Sequence, residues 1–285
     1  MRHDDWHLTE DIDDFLARAG DFLRSRPALH HTQLTTVERL RARGERALFG
    51  RLETDGEVRA VFYQPSSRRV TLTPLSPPEA DVLAARLADL GGPVAGVVAD
   101  HGTASAFADA WERRTGAARV DFWRGRLYRL GTLTPPEPRP AGRGRVLGEG
   151  DREELMRWCD EFVSAVGETP AVTAATWADS RFADKRFTFW EAPDGTPVSM
   201  AGTTAMVGGM IRVDPVYTPA RLRGRGYAAA VTAEVSRSAL AAGATDVVLF
   251  ADPANATSNA LYRRLGYAHL ADFTGYAFPT THHTD

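Results

Sequence analysis

The sequence predicts a mixed α/β protein, with helices on the faces of a sheet that contains both strand directions, and with this arrangement present twice in tandem. Three observations predict it. The 285 residues, 43% hydrophobic and 25% charged, exceed one small domain and can bury two sizeable cores. Residues 134–144, TPPEPRPAGRG, place four prolines and two glycines in a stretch that can neither continue a helix nor pair in a central strand. The periodicities before this stretch return in similar order after it, without a residue-level repeat. The expected division is a first domain over 1–133, a linker over 134–144 and a second domain over 145–285.

In the first half, Ile12, Phe15, Leu16, Ala19 and Leu23 recur at helical spacing, and residues 36–43 follow as a second helix. Extended segments are expected at 47–54, 58–63 and 69–74, the first two joined by the turn Asp55-Gly56. A helix over 79–90, a buried strand over 94–99, a helix over 104–114 and a long strand, straight or bent, over 119–131 complete this half. After the linker come a short strand at 145–147, helices at 153–166 and 173–183, and strands at 186–191, 198–205 and 210–217. Tyr227, Val231, Val235 and Ala239 form one stripe of a helix over 224–242, with Gly243 as its stop. A continuous apolar strand at 245–251, a short helix at 257–265 closed by Gly266, and an extended segment at 267–278 end the pattern.

Composition excludes several classes. A formal net charge of -3 gives no global source of attraction for nucleic acid or an anionic membrane. The opening residues MRHDDWHLTEDIDDF hold no apolar run fit for a signal peptide, and no stretch approaches a membrane span, so a cytoplasmic protein is expected. Lys185 is the only lysine, and the arginine excess reads as a chain-wide bias. Cys159, the only cysteine, reads as buried packing and rules out an intrachain disulfide. Side chains of the adjacent pairs His30-His31 and His282-His283 diverge, so no metal is expected. The oligomeric state is not set by the sequence.

The chemistry concentrates in 216–231, VYTPARLRGRGYAAAV, between a strand and a long helix. The first turn of a helix carries N–H groups without intrahelical partners and the positive end of the macrodipole. Gly224 and Gly226 let the backbone approach an anion, and Arg221, Arg223 and Arg225 add charge, so a pyrophosphate is the natural guest. Gly224, Gly226 and Ala229 also fit a dinucleotide fingerprint, with Asp252 placed as a ribose-binding acid. Against that reading, residues 219–223 intervene between strand and glycine, and too little chain follows for a six-stranded sheet.

This stretch resembles the GCN5-related N-acetyltransferase (GNAT) superfamily, whose pyrophosphate loop reads [Q/R]-x-x-G-x-[G/A]; Arg221, Gly224 and Gly226 match in register. The phrase VYTP…RGRGYA is similar to a bacterial subgroup of tandem, two-domain GNAT proteins. A second element, ADPANATSNALYRRLGY, looks like the family's N-x-x-[SA]-x-x-x-Y-x-x-x-G-[FY] segment through Asn255, Ser258, Tyr262, Gly266 and Tyr267. The resemblance covers 143–278 by motif and the first half by architecture alone, where the pyrophosphate loop is missing; ADHGT at 99–103, expected in its place, offers one glycine and no arginine.

The resemblance implies an acyl-CoA N-acyltransferase, with acetyl-CoA as the first candidate donor and a primary amine of a small molecule, peptide or protein as acceptor. Backbone groups of Val216, Tyr217 and Thr218 would hold the pantetheine arm. Residues 221–228, with Tyr227 and Ala228 in the helix start, would hold the pyrophosphate. Asn255 and Ser258 would face the arm and thiol region, and Tyr262 would protonate the departing thiolate. Asp160, Glu161, Glu168, Asp179 and Asp214 are candidate bases, and Glu168 is preferred because the first helix of this fold and the loop after it border the acceptor site. Trp158, Phe162, Trp177 and Trp190 are core or acceptor pocket. Two other readings stay open: a non-catalytic acyl-CoA-binding sensor or scaffold, and a transferase with a longer acyl or aminoacyl donor.

Overall fold

Alternating apolar residues set the strands and 3.6-residue stripes set the helices, and a computed structural model describing residues 5–167 and 172–279 shows which sheet each strand joins. The chain packs as two units. The described residues up to Leu127 and from Leu270 onward form the first, and Tyr128–His269 the second. The first comprises β1 (Asp5–Thr9), α1 (Ile12–Ser25), α2 (His31–Arg43), β2 (Ala47–Thr54), β3 (Glu57–Pro65), β4 (Arg69–Leu72), α3 (Pro77–Asp89), β5 (Gly96–Asp100), α4 (His101–Thr115) and residues 120–127 of β6 (Val120–Leu130). Antiparallel pairing joins β1 to β2, β2 to β3 and β3 to β4, and β4 then runs parallel to β5 through α3.

β12 (Tyr267–Ala277) departs from the expected division, because Phe273–Ala277 pair antiparallel with Gly96–Asp100. Tyr276 and Phe278 are buried with Phe62, Leu83 and Phe107 in the core of this unit. A sequence period identifies a strand but carries no information about which sheet takes it up. β1 was not expected either. Trp6 and Leu8 alternate toward the core of this unit, but two apolar residues are too short a pattern to mark a strand.

The second unit contains β7 (Arg143–Val146), α5 (Arg152–Ala165), β8 (Arg186–Glu191), β9 (Pro197–Thr203), β10 (Met210–Tyr217), α6 (Tyr227–Ala241), β11 (Asp246–Ala251) and α7 (Ala256–Arg264). β7 to β10 form an antiparallel row, and α6 crosses over to bring β11 parallel to β10. One core, with Val213, Val231, Val235, Val247 and Leu249, includes α6; another, with Trp158, Phe182, Phe189, Met200 and Tyr217, includes α5. The helix expected over 173–183 is a run of turns. Thr173, Thr176 and Ser180 spend their hydroxyls on nearby backbone, as in Ser180 Oγ donating to Trp177 O at 2.7 Å, and so compete with helical bonding. No helix among the described residues is long and apolar enough to cross a membrane.

β10 carries an irregularity. Its register against β9 shifts between Val213 and Val216. Val213 and Val216 both reach the core beneath α6 although three residues apart, and Tyr217 then enters the core beneath α5. A simple strand alternates faces, so the extra residue of a bulge is needed for this. Gly202 makes room for it: a Cβ there would lie 2.7 Å from the carbonyl oxygen of Asp214 and 3.0 Å from Cδ of Pro215. Gly202→Ala is expected to destabilise the protein by about 1–3 kcal/mol, as overpacking against backbone does, and urea denaturation would measure it.

Candidate functional site

The bulge leaves β10 with two different edges. Val216 and Tyr217 pair with Ala201 and Met200 of β9, whereas the ladder to β11 runs only from Met210↔Asp246 to Val213↔Leu249. Past Val213 the edge of β10 toward β11 has no ladder partner among the described residues, and an extended ligand can pair there as an added strand would. Thr218 is fixed at the strand end by Ser199, whose Oγ lies 2.8 Å from Thr218 Oγ1 and donates to Tyr217 O at 3.0 Å.

The chain then turns through Ala220–Leu222, a short 3-10 segment. Arg223 Nε donates back to Thr218 O at 3.0 Å, which ties the loop to the strand end. Gly224 and Gly226 have φ of +77° and +80°, a region that disfavours any residue with a Cβ. A Cβ at Gly226 would also lie 3.0 Å from Cγ of Pro140, whereas at Gly224 nothing lies within 4 Å, so Gly224 faces open space. Gly226 is the N-cap of α6, no side chain caps the helix, and the first intrahelical bond is Ala230 N to Gly226 O. The N–H groups of Tyr227, Ala228 and Ala229 therefore point out of the helix end, next to the exposed side chains of Arg221, Arg223 and Arg225. Together these groups form a site for a polyanion.

The first unit has the same crossover from β4 through α3 to β5, so the counterpart of this loop is 73–79, not the 99–103 segment chosen from the sequence. There the helix begins with Pro77 and Pro78, which lack N–H groups, and Ser76 N donates to the Glu79 carboxylate at 2.7 Å. That helix end is already filled by an anion of its own chain.

Tyr262 lies on the buried side of α7, with ring centroids of Tyr128 and Tyr267 at 6.4 and 6.1 Å. Burial, and secondarily the charge of Asp214, push its phenol well above the usual value, so it stays protonated at neutral pH. Asn255 is the N-cap of α7, its Oδ1 accepting from Ser258 N at 3.0 Å. Asn259, which the sequence reading passed over, ties the segment down: its Nδ2 donates to Asp252 O and Asn255 O, each at 2.7 Å, and its Oδ1 accepts from Tyr128 OH at 2.8 Å. Nothing in the local pattern distinguishes it from a surface asparagine.

The candidate bases separate by their partners. Glu168 lies outside the described residues. Asp160 accepts from Val172 N at 2.8 Å, and Asp179 is exposed. Glu161 accepts from Tyr217 OH at 2.6 Å, and both line an open cleft of about 600 Å³ with Ser164 and Arg221. Burial and this bond push the Tyr217 phenol up to about 12. Asp214 is engaged by Lys185, Arg181 and Arg212. Burial raises its carboxyl, but the three cations outweigh burial and hold it far below the ordinary range, so it is a poor proton acceptor. Burial pushes the Cys159 thiol up to about 12, which leaves no thiolate at neutral pH. Trp158 and Trp190 are core; Phe162 and Trp177 are half-buried. Asp252 spends one oxygen on Ala254 N at 2.8 Å, and β9 runs antiparallel to β10, so the parallel sheet that the dinucleotide reading requires is absent from the described second unit.

Residues 199–274 match the family described as FR47-like protein, a span that holds β10, the glycine loop, α6 and α7. A GCN5-related N-acetyltransferase from Kribbella flavida is similar at 23% identity and TM-score 0.53, over 78% of this chain and 88% of that one. Another from Sphaerobacter thermophilus gives TM-score 0.62 at 16% identity, over 95% and 94%. A tandem GNAT protein from the clavulanic acid biosynthesis pathway gives TM-score 0.56 at 12% identity, over 95% and 98%. No curated protein sequence matches the chain. At these identities the likeness is one of fold: the chain has the fold of GCN5-related N-acetyltransferases at the length of the tandem form, in support of the resemblance read from its motifs.

Asp214 also makes stability depend on acid. Its carboxyl titrates lower in the folded than in the unfolded chain, so its contribution is complete above about pH 4 and is lost as pH falls toward the folded value. Asp214→Asn is expected to cost about 3–5 kcal/mol at pH 7, because it leaves buried cations without their counterion, and to flatten the fall in stability below pH 4. Urea midpoints of the two proteins at pH 7 and pH 3 would show both effects.

Proposed function

We propose that this protein is an acyl-CoA-dependent N-acyltransferase, acetyl-CoA being the first candidate donor, that acylates a primary amine by direct attack. The observation that carries the reading is the uncapped start of α6 beside Gly224, Gly226 and three exposed arginines, reached from a strand with one open edge. The first half of that arrangement suits a pyrophosphate and the second an extended arm of amide groups, and coenzyme A carries both. Val216, Tyr217 and Thr218 would meet the arm, residues 221–228 the pyrophosphate, and the α7 face bearing Ser258 and Tyr262 the thioester. Asn255 supports that face as the helix cap.

In the reaction the amine nitrogen attacks the thioester carbonyl carbon, the C–S bond breaks, and the thiolate takes the proton of Tyr262. The incoming ammonium must first lose a proton, and a carboxylate following α5, Glu168, is the proposed acceptor. The names of the similar structures support acetyl over longer donors. Because the first unit fills its own helix end with Glu79, one acyl-CoA should bind per chain, at the second unit.

Calorimetry with acetyl-CoA tests the donor site: a stoichiometry of one is expected, with binding lost in Arg223→Ala/Gly224→Val, and no binding at all would sink the proposal. Tyr262→Phe is expected to lower turnover by about 10²–10⁴-fold with acetyl-CoA affinity kept. Unchanged turnover would remove Tyr262 from the chemistry and favour a protein that only binds the thioester.

A further inference from the structure

Around Asp214 three cations meet one carboxylate. Lys185 forms an ion pair with it, Arg181 Nη1 lies 3.4 Å from its Oδ2 and Arg212 Nη2 lies 3.6 Å from the same oxygen, so Lys185 and Arg212 alone already exceed its single negative charge. Burying like charges costs free energy, and this set is well buried: the Lys185 side chain is 5% exposed and that of Arg212 20%. Arg212 Nε is buried with no hydrogen-bond partner among the described residues. The rings of Phe162 and Phe182 form a wall, with the Arg181 guanidinium at 5.4 and 5.0 Å and Lys185 Nζ 5.3 Å from Phe182. Lys185 also lines an open cleft of about 860 Å³ with Trp177, Arg152 and Arg186, where the acids are Glu149 and Asp184.

The place matters as much as the charge. Asp214 stands at the bulge of β10, where the open edge begins, and its charge is felt at the Tyr262 hydroxyl. An anion arriving at Lys185 and Arg212 would relieve the excess positive charge and meet a donor that has no partner. We propose that Lys185 and Arg212, with Arg181 beside them, hold an anionic group, carboxylate or phosphate-like, on the acceptor, so that the substrate is an amine bearing its own negative charge. This rests on the acyl-transfer reading above. It also has a chemical corollary, since cations near the bound amine favour its neutral, nucleophilic form over the ammonium. Burial lowers Lys185 to about 8, so it is still largely protonated at neutral pH and available to an anion.

The test is a titration of the full chain, with and without saturating CoA, by β-alanine, 2-aminoethylphosphonate and ethanolamine. At least one anionic amine is expected to bind about tenfold or more tightly than ethanolamine, a difference of about 1.4 kcal/mol. The β-alanine and phosphonate arms separate a carboxylate site from a phosphate-like one. Arg212→Gln should abolish the preference and Arg212→Lys should restore part of it, with acetyl-CoA affinity unchanged in both as the check on folding. Equal or tighter binding of ethanolamine, no binding of either anionic amine, or a preference that survives Arg212→Gln would overturn the proposal. The donor site stands or falls separately, on acetyl-CoA binding.

Discussion

The extra residue that β10 inserts against β9 is the constraint on which the second unit depends. It returns Val216 to the α6 face, sends Tyr217 to the α5 face, and coincides with the end of pairing to β11. Without it the strand would keep its alternation and Tyr217 would lie on the wrong side of the sheet for its bond to Glu161. Residues far apart in the chain conform to this one irregularity: Gly202 by having no side chain, Ser199 by holding the strand end, and Lys185, Arg181 and Arg212 by surrounding the carboxylate at the bulge.

The polar groups of the site fall into two kinds. Those of the glycine loop are exposed, and the fold holds them in place through backbone conformation and through Arg223 bonded to Thr218. Those around Asp214 and Tyr262 are buried, and their surroundings set their protonation: burial makes the phenol keep its proton, whereas three cations overcome burial and make the carboxylate give its proton up. A flexible polyphosphate can be gathered by exposed cations, whereas proton transfer needs groups whose state is fixed before the substrate arrives.

How much of this was legible follows from how local each signal is. The loop of 221–228 and the start of α7 could be read because glycine at positive φ and asparagine at a helix cap act within a few residues. The helix expected over 173–183 gave way to turns because the hydroxyl-to-backbone bonds of Thr173, Thr176 and Ser180 compete with helical bonding, and a residue pattern alone does not show which wins. Two of the three cations on Asp214 could not be read: Lys185 and Arg181 lie 29 and 33 residues away, and nothing in their surroundings marks them as its partners. Membership of β12 was hidden for a similar reason, since an extended segment fits many sheets equally well. The counterpart of the glycine loop in the first half was misplaced because the crossover, visible only once β4 and β5 are seen to be parallel, is what defines it.

That crossover bears on how the two halves can drift. To turn the start of α3 into an open anion site, Pro77 and Pro78 would both have to regain an N–H, and Glu79 would have to withdraw from Ser76. None of these changes helps alone: a lone proline replacement leaves the carboxylate in place, and a lone Glu79 replacement leaves two donors missing. No single substitution therefore opens that helix end to a second anion.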